Sequence, residues 1–205
     1  WRIKSEAQGH FGVGPADETY PIWYEAAAGE KSITETLGDV TFKISPKSFF
    51  QTNSKQAEVL YDVVKDFVGT NDTLYDLYCG TGSIGLYLAD TCKKLIGVET
   101  VEDAIADAKE NAANNNIDHT HFYAGDVIKV CTSDFFKQHG RPDCIITDPP
   151  RAGMHPKLVE KLKEIAAPRI VYVSCNPATQ ARDLQELRSL YNIKKSQAVD
   201  MFPQT

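Results

Sequence analysis

Two residues with reactive side chains, Cys175 and Asp148, follow consecutive short apolar runs of the sequence. The runs at 144–147 and 169–173 have the length and the isoleucine and valine content of buried parallel strands. In an open α/β sheet, ligands bind beyond the carboxyl ends of the strands, so we expect both residues to face one crevice. A thiol and a carboxylate that converge there predict covalent chemistry on a substrate.

Cys175 directly precedes a predicted helix, because Asn176 is a good N-cap and Pro177 suits the first helical position. The dipole of that helix favours the thiolate form of a cysteine at this place. The alternative is a buried small apolar residue, the usual fate of a free cysteine. We expect this second role for the other cysteines, namely Cys79, Cys92, Cys131 and Cys144. Cys175 is therefore the candidate nucleophile.

The loop after the fourth predicted strand of the α/β units reads Asp148-Pro149-Pro150-Arg151. Its two prolines stiffen the chain and withhold amide donors, which leaves carbonyl groups and the Asp148 carboxylate to face a flat polar ring. Arg151 suits a phosphate or a substrate carbonyl. The alternative is a proline-capped turn with a surface arginine. Methylases of the adenine amino group contain a related motif with an aromatic residue in place of the arginine.

A glycine-rich turn at Gly80, Gly82 and Gly85 follows the first of these strands and opens a helix. Such a turn lets backbone amides approach a ligand, and its GxGxxG spacing suits a dinucleotide as well as S-adenosylmethionine. Asp76 lies four residues before Gly80, where a carboxylate would repel a pyrophosphate. It suits the zwitterionic tail of S-adenosylmethionine, directly or through water. The alternative is that the glycines serve only tight helix–strand packing.

Two more acidic residues follow the next two strands. Glu99 is placed to accept hydrogen bonds from ribose hydroxyls, and Asp126 could reach an adenine amino group. A nucleotide-dependent dehydrogenase would use Glu99 in the same way, so only the placement of Asp76 separates the two cofactors.

Periodicity and capping residues predict a mostly parallel, doubly wound α/β sheet of the Rossmann-like type. We expect strands at 41–44, 74–78, 94–99, 121–124, 144–147, 169–173 and 193–199. We expect helices at 54–68, 84–89, 101–114, 127–137, 156–165 and 177–190. Residues 1–40 are interpreted as an irregular lead-in from a preceding domain, and 41–205 as the catalytic domain.

Composition bounds the class of protein. The 205 residues suffice for one domain with a small extension, and the sequence has no apolar run near the roughly 20 residues that a membrane span requires. Five cysteines without CxxC spacing argue against disulfides or zinc and for a reducing cytoplasm. The net charge of −6 means that nucleic-acid binding must come from a local patch or from other parts of the protein.

Taken together, these motifs resemble the RNA uracil-5-methyltransferase family, which makes 5-methyluridine in transfer RNA or in 23S ribosomal RNA. The resemblance covers Phe42 to Thr205. It rests on motifs in the family's order: Phe49 to Asn53, Asp76 to Gly85, Gly97 to Glu99, Asp148 to Arg151, Ser174 to Thr179 with Arg182 and Asp183, and Val199 to Pro203.

The resemblance implies a site and a reaction. The residues that would line the cofactor and base pocket are Gln51, Tyr78, Glu99 and Asp148, with Ser83 and Asp126 beside the cofactor and Phe49 beside a flipped base. Cys175 would add to carbon 6 of uracil and so make carbon 5 nucleophilic toward the methyl group of S-adenosylmethionine. A general base would then remove the carbon-5 proton.

The sequence departs from the family pattern at its ends. In the family, a histidine and the glutamate that serves as the base follow the position of Thr205, and a final antiparallel strand follows as well. The amino-terminal RNA-binding domain and the iron–sulfur cysteines of some members are also not in this sequence, which begins at Trp1. We therefore expect residues 1–205 to be a truncated piece that binds S-adenosylmethionine weakly and turns over poorly.

Two other functions are compatible with the motifs. A cytosine-5 RNA methyltransferase usually has a cysteine beside the proline motif of the fourth strand, where this chain has Asp148. A non-catalytic module that binds S-adenosylmethionine or RNA would be indifferent to the loss of Cys175.

Overall fold

The structure of the chain is a computed structural model that describes residues 32–45 and 48–203. Its strands are β1 (Ile33–Leu37), β2 (Val40–Ile44), β3 (Asn71–Leu77), β4 (Cys92–Glu99), β5 (Thr120–Ala124), β6 (Cys144–Thr147) and β7 (Arg169–Tyr172). The last five form a parallel sheet in the order β5-β4-β3-β6-β7, and β1 and β2 form a separate antiparallel hairpin. The predicted Rossmann-like α/β fold is confirmed.

The first helix precedes the parallel sheet, and the other helices follow its strands in turn. They are α1 (Ser54–Val68), α2 (Ser83–Tyr87), α3 (Glu102–Asn114), α4 (Val127–Val130), α5 (Ser133–His139), α6 (Pro156–Ile165) and α7 (Pro177–Leu187). Alternate residues of β3 face opposite layers: Leu74 packs with apolar residues of α1 and α3, and Tyr75 packs with those of α6. Both faces of the sheet are therefore covered, as a doubly wound fold requires.

The first strand of the β1–β2 hairpin lies within the segment that we expected to be irregular, whereas its second strand matches the strand predicted at 41–44. Leu37 pairs with Val40, and the turn between them contains Gly38 at φ +54°. Leu37 and Phe42 are fully buried against the main core. The expectation of irregular structure up to residue 40 is thus wrong for Ile33–Leu37, because the buried side chains of the hairpin give it a packed face. Residues 1–31 lie outside the described part of the chain.

The helix predicted at 127–137 is two helices. α4 ends before Cys131, which is fully buried, and α5 begins after Thr132. The Thr132 hydroxyl accepts a hydrogen bond from the Phe135 amide at 3.2 Å, so this threonine acts as a new N-cap. Thr132 thus lies inside the predicted helical range and starts a second helix there.

The strand predicted at 193–199 is wrong. Residues 191–200 have no regular structure, and Ile193 is 67% exposed. Lys195 forms an ion pair of 2.8 Å with Asp66, which holds the segment beside α1. An alternating pattern forms a strand only where a neighbouring strand accepts its hydrogen bonds, and among the described residues this segment has none.

Among the helices that the structure describes, none has both the length and the apolar character needed to cross a bilayer.

Candidate active site

The residues predicted to do chemistry lie beyond the carboxyl ends of the five parallel strands. Across the sheet, each strand has one of these groups at or just after its carboxyl end. In the strand order β5-β4-β3-β6-β7, the groups are Asp126, Glu99, the glycine turn, Asp148 and Cys175. Parallel strands bring these ends to one edge of the sheet. The topology therefore places all five groups on one side of the molecule.

The glycine turn is anchored to β4 through its first residues. The amides of Tyr78 and Cys79 both donate to the Val98 carbonyl, at 3.0 and 3.2 Å. Tyr78 has φ +65°, a left-handed conformation that costs a residue with a side chain about 1–2 kcal/mol. Such strain persists only where the surrounding structure holds it, and it is concentrated at functional sites.

Two glycines of this turn have different surroundings. A methyl group built on Gly82, at φ +79°, would lie 3.1 Å from Leu86 and 3.3 Å from Ala108, so this glycine permits close packing of α2. A methyl group built on Gly80, at φ +52°, would meet no heavy atom within 4 Å in the described part of the chain. Gly80 therefore borders open space, while Gly82 is part of the core.

Asp76 lies beneath the turn and is 1% exposed. Its Oδ2 accepts a hydrogen bond from the Gly85 amide at 3.0 Å. Its Oδ1 and the Thr81 hydroxyl are buried and have no partner among the residues described. A buried polar atom without a partner is costly, and a bound ligand or water is the usual remedy. The arrangement fits a cofactor whose polar groups reach these two oxygens.

Burial raises the pKa of Asp76 from 3.8 to about 7, since the charged carboxylate is unfavourable away from water. The hydrogen bond from Gly85 lowers this pKa, and the charges of Asp148 and Glu99 raise it further. Burial also raises the pKa of Asp148, to about 6. Two neighbouring carboxyl groups therefore titrate close to neutral pH, a property that is common at functional sites.

The other predicted cofactor residues are already bound to protein groups. Glu99 Oε1 accepts from the Thr100 and Val101 amides at 2.6 and 3.0 Å, and Oε2 accepts from the Gly80 amide at 3.3 Å. Ser83 shares a hydrogen bond of 3.0 Å with the buried hydroxyl of Tyr61. Glu99 thus holds the glycine turn in place, whichever ligand it also contacts.

Asp126 and Asp148 differ in how much of their carboxylate is free. Asp126 Oδ1 accepts from the Ile128 amide at 2.9 Å and caps α4. The half-buried carboxylate of Asp148 makes no hydrogen bond or ion pair with any residue that the structure describes. Asp148 is the carboxylate with the most acceptor capacity left for a substrate.

Stability should depend on pH through Asp76 and Asp148. Because burial raises both pKa values, the folded protein keeps protons between about pH 4 and pH 7 that the unfolded chain releases. Stability should therefore fall as the pH rises through this range. In Asp148→Asn we expect the fall between pH 4 and pH 8 to shrink by about 2–3 kcal/mol, measured by urea unfolding. Asp134→Asn, at a carboxylate that is 88% exposed, should leave the fall unchanged.

Hydrogen bonds join the Asp148 loop to the Cys175 loop. The Arg151 carbonyl accepts from Asn176 Nδ2 at 3.2 Å and from the Thr179 hydroxyl at 3.3 Å. Asn176 also caps α7, as predicted, by accepting from the Ala178 amide at 3.1 Å. Cys175 is exposed, whereas Cys79, Cys131 and Cys144 are buried and Cys92 is half-buried. The accessible thiol therefore lies beside a loop that is tied to it.

Asp183 of α7 organises both loops, whereas the sequence analysis named it only as part of a family motif and assigned it no role. This 2% exposed carboxylate accepts from the Met154 amide at 2.7 Å and from the Tyr172 hydroxyl at 2.8 Å. Its other oxygen accepts from Arg182 at 2.7 Å. A methyl group on Gly153 would lie 2.7 Å from Asp183, so only glycine allows the loop to approach this closely. Asp183 thus positions the chain that follows Arg151.

Asp183→Ala should lower the free energy of unfolding by about 2–4 kcal/mol, because it leaves the buried Met154 amide and Tyr172 hydroxyl without acceptors. Urea unfolding measures the loss. Glu186→Ala, at an exposed position of the same helix, should change stability by less than about 0.5 kcal/mol. Equal losses in the two variants would contradict the role given to Asp183.

The predicted base-binding motif lies at the entrance to α1. Phe49 is 73% exposed and Gln51 is half-buried, while Phe50 packs on Phe42 with ring centroids 5.5 Å apart. Asn53 caps α1, and its Nδ2 donates to the Met201 carbonyl at 3.0 Å. The motif therefore has an anchored end and an exposed aromatic ring. Arg151 is exposed as well.

A search of the described residues for three or more His, Cys, Asp or Glu side chains in a metal-binding arrangement finds no such group.

Comparisons with known proteins agree with the methyltransferase resemblance of the sequence. The profile of the tRNA (uracil-5-)-methyltransferase family matches residues 30–205. An uncharacterized RNA methyltransferase of Bacteroides thetaiotaomicron is 51% identical over 179 residues, which are 86% of this chain and 39% of that protein. One of Chlorobaculum tepidum is 48% identical over 197 residues, 94% of this chain and 40% of that protein. The chain thus spans about two fifths of the length of these relatives.

The structure also resembles solved structures. The tRNA (uracil-54, C5)-methyltransferase of Pyrococcus abyssi, in complex with S-adenosyl-L-homocysteine, superposes with a TM-score of 0.68 at 40% identity, over 78% of this chain and 38% of that one. A SAM-dependent methyltransferase of Agrobacterium tumefaciens has a TM-score of 0.61 at 20% identity, over 78% of this chain and 58% of that one, and shows the fold alone. The fold and its loops define a Rossmann-like methyltransferase domain. The chain belongs to the tRNA (uracil-5-)-methyltransferase family, whose cofactor is S-adenosylmethionine.

Proposed function

We propose that the protein transfers a methyl group from S-adenosylmethionine to carbon 5 of a uridine in transfer or ribosomal RNA, through a covalent adduct of Cys175. The observation that carries this proposal is the exposed thiol of Cys175 on a loop hydrogen-bonded to the loop of Asp148. Family membership supports the methyl transfer to RNA. The thiol supports the route, because carbon 5 of uracil is a poor nucleophile unless the ring is first activated.

The residues around the glycine turn fit the cofactor. Open space beside Gly80 would admit it, and Asp76 Oδ1 and the Thr81 hydroxyl are buried groups that need partners. Glu99 would meet the ribose and Asp126 the adenine, with Tyr78, Gly82 and Ser83 shaping the same wall. The bound cofactor would supply a methyl group on a sulfonium, which is an electrophile. Gln51 would complete the pocket from the entrance of α1.

Cys175 would begin the reaction by adding its thiolate to carbon 6 of the uracil ring. The electron pair of the carbon 5–carbon 6 double bond then moves toward the carbonyl at carbon 4, which makes carbon 5 a nucleophile. Carbon 5 would take the methyl group, and the electron pair of the broken carbon–sulfur bond would stay on the sulfur of the cofactor, which becomes a neutral thioether. A general base removes the carbon-5 proton, the double bond re-forms, and the thiolate leaves carbon 6. Cys175 ends the cycle unchanged.

Asp148 would hold the edge of the uracil ring. Its carboxylate makes no hydrogen bond or ion pair with the residues that the structure describes, and its pKa of about 6 lets it accept or share a proton near neutral pH. Phe49 offers an exposed ring on which a flipped base can stack. Arg151 would pair with a phosphate of the RNA backbone, since its guanidinium is exposed beside the same loop.

Release of tritium from carbon 5 tests the proposal directly. The full-length protein is mixed with S-adenosylmethionine and RNA that carries [5-³H]uridine. We expect one tritium to be released to water for each methyl group incorporated, because the methyl group replaces the hydrogen at that carbon. Methyl incorporation without tritium release would overturn the assignment of carbon 5. Release of tritium from [5-³H]cytidine RNA would identify a cytosine-5 methyltransferase. If neither tritium release nor methyl incorporation occurred, the protein would be a binding module.

A further inference from the structure

Helix α3 has a row of polar side chains that the methyl-transfer reaction does not use. Asp107 and Asn111 lie on one face of the helix, and Asn115, the C-cap residue, continues the same spacing of four residues. Asp107 is 6% exposed and Asn111 is fully buried. Buried carboxylate and amide groups are costly unless they make hydrogen bonds, so their partners show what they are for.

Asn111 and Asn115 serve as a substitute strand for the outer edge of β2. Asn115 accepts from the Thr41 amide at 2.9 Å and donates to the Thr41 carbonyl at 2.7 Å. Asn111 does the same with Lys43, at 2.7 and 3.1 Å. Alternate residues of a strand present both backbone groups to the same side, and these two side chains satisfy them. The hairpin is thereby fixed to α3.

Asp107 continues this row past the end of β2. Its Oδ1 accepts from the Ser45 hydroxyl at 2.7 Å, and its Oδ2 accepts from the Ser48 hydroxyl at 2.7 Å and from the Ser45 amide at 3.3 Å. Ser48 immediately precedes Phe49. One buried carboxylate therefore fixes the chain on which the predicted base-stacking ring and Gln51 are carried.

The same row also reaches the glycine turn. Asn111 Nδ2 donates to the Thr81 carbonyl at 3.4 Å in addition to its bond with Lys43. Thr81 lies between Gly80 and Gly82. Hydrogen bonds from two adjacent turns of α3 therefore reach the turn proposed to bind the cofactor and the segment proposed to bind the base.

We propose that Asp107 and Asn111 are positioning residues that hold the Phe49–Gln51 segment in register with the glycine turn, so that the RNA base and the cofactor meet in one geometry. This inference rests on the proposed function for its catalytic consequence. The claim that these residues hold the Phe49–Gln51 segment in place does not depend on the proposed function. Among the described residues, the Asn115 side chain forms hydrogen bonds only with the hairpin and with α3, so it has no part in the connection.

Asp107→Ala in the full-length protein tests the proposal, with Asn115→Ala as the matched control on the same helix face. We expect kcat for methyl transfer, with both substrates saturating and well below each melting temperature, to fall at least about tenfold in Asp107→Ala, since small misplacement of reacting groups is costly. Asn115→Ala should lose less than about twofold. Asp107→Asn, which can accept from one serine hydroxyl and donate to the other, should recover to within about threefold of the wild type.

Amide hydrogen exchange of peptides that span residues 48–56 supplies a readout that needs no activity. We expect exchange to become at least about tenfold faster in Asp107→Ala and to change less than about twofold in Asn115→Ala. If the wild type transferred no methyl group to RNA, the proposed function would fail, and exchange alone would decide this inference. Equal exchange rates in the two variants would overturn it, as would an Asp107→Asn variant with the kcat of Asp107→Ala.

Discussion

Replacing Cys175 with alanine in the full-length protein should reduce methyl transfer to RNA by at least about 10⁴-fold, because the uracil ring is then never activated at carbon 6. Incorporation of labelled methyl groups into RNA measures the loss. RNA that carries 5-fluorouridine gives a second readout. Fluorine replaces the carbon-5 hydrogen that the base would remove as a proton, so the covalent adduct cannot break down. A covalent complex that survives a denaturing gel should form with the wild type and be missing in Cys175→Ala.

Cys92→Ala is the matched control for this substitution. Cys92 is the half-buried cysteine, and among the described residues its thiol donates only to the Ala89 carbonyl, at 3.6 Å. It lies at the amino end of β4, on the opposite side of the sheet from the carboxyl ends. We expect less than about a twofold change in methyl transfer. A Cys175→Ala enzyme with near-normal activity would refute covalent catalysis and leave a direct transfer to some other atom of the RNA.

Replacing Gly80 with leucine should weaken the binding of S-adenosylmethionine about a hundredfold, the equivalent of about 3 kcal/mol. The side chain would point into the open space beside the turn, where the cofactor is proposed to lie. Overpacking a filled site costs about 1–3 kcal/mol, and the backbone at φ +52° adds strain. Isothermal titration calorimetry of the full-length protein measures the affinity.

Gly80→Ala separates the effect of the backbone from that of the side chain. Both variants carry the same left-handed strain, about 1–2 kcal/mol, and a Cβ atom at this position meets no heavy atom of the described residues within 4 Å, so we expect similar melting temperatures. The cofactor should bind much more tightly to the alanine variant than to the leucine variant. Equal affinities would mean that the space beside Gly80 is not the cofactor's.

Local signals in the sequence determined most of the secondary structure and which strand each site residue follows. α1 and α6 have the predicted bounds, since an amphipathic period and a capping residue act within a few residues of the chain. The parallel arrangement followed from the repeated βα units, and it placed Asp148 and Cys175 at one edge of the sheet. Each motif that identifies the family is a short contiguous stretch of the chain, so the sequence by itself contains the resemblance.

The tertiary structure alone decided which polar groups are free and which are bound. Asp183 accepts from an amide 29 residues away, and Asp107 from a serine 62 residues away, so neither role leaves a trace in a local pattern. The same holds for residues 193–199, whose alternation is typical of a strand but which have no neighbouring strand within the described structure. Burial and long-range hydrogen bonds exist only once the chain is folded, and it is burial that raises the pKa of Asp76 to about 7 and that of Asp148 to about 6.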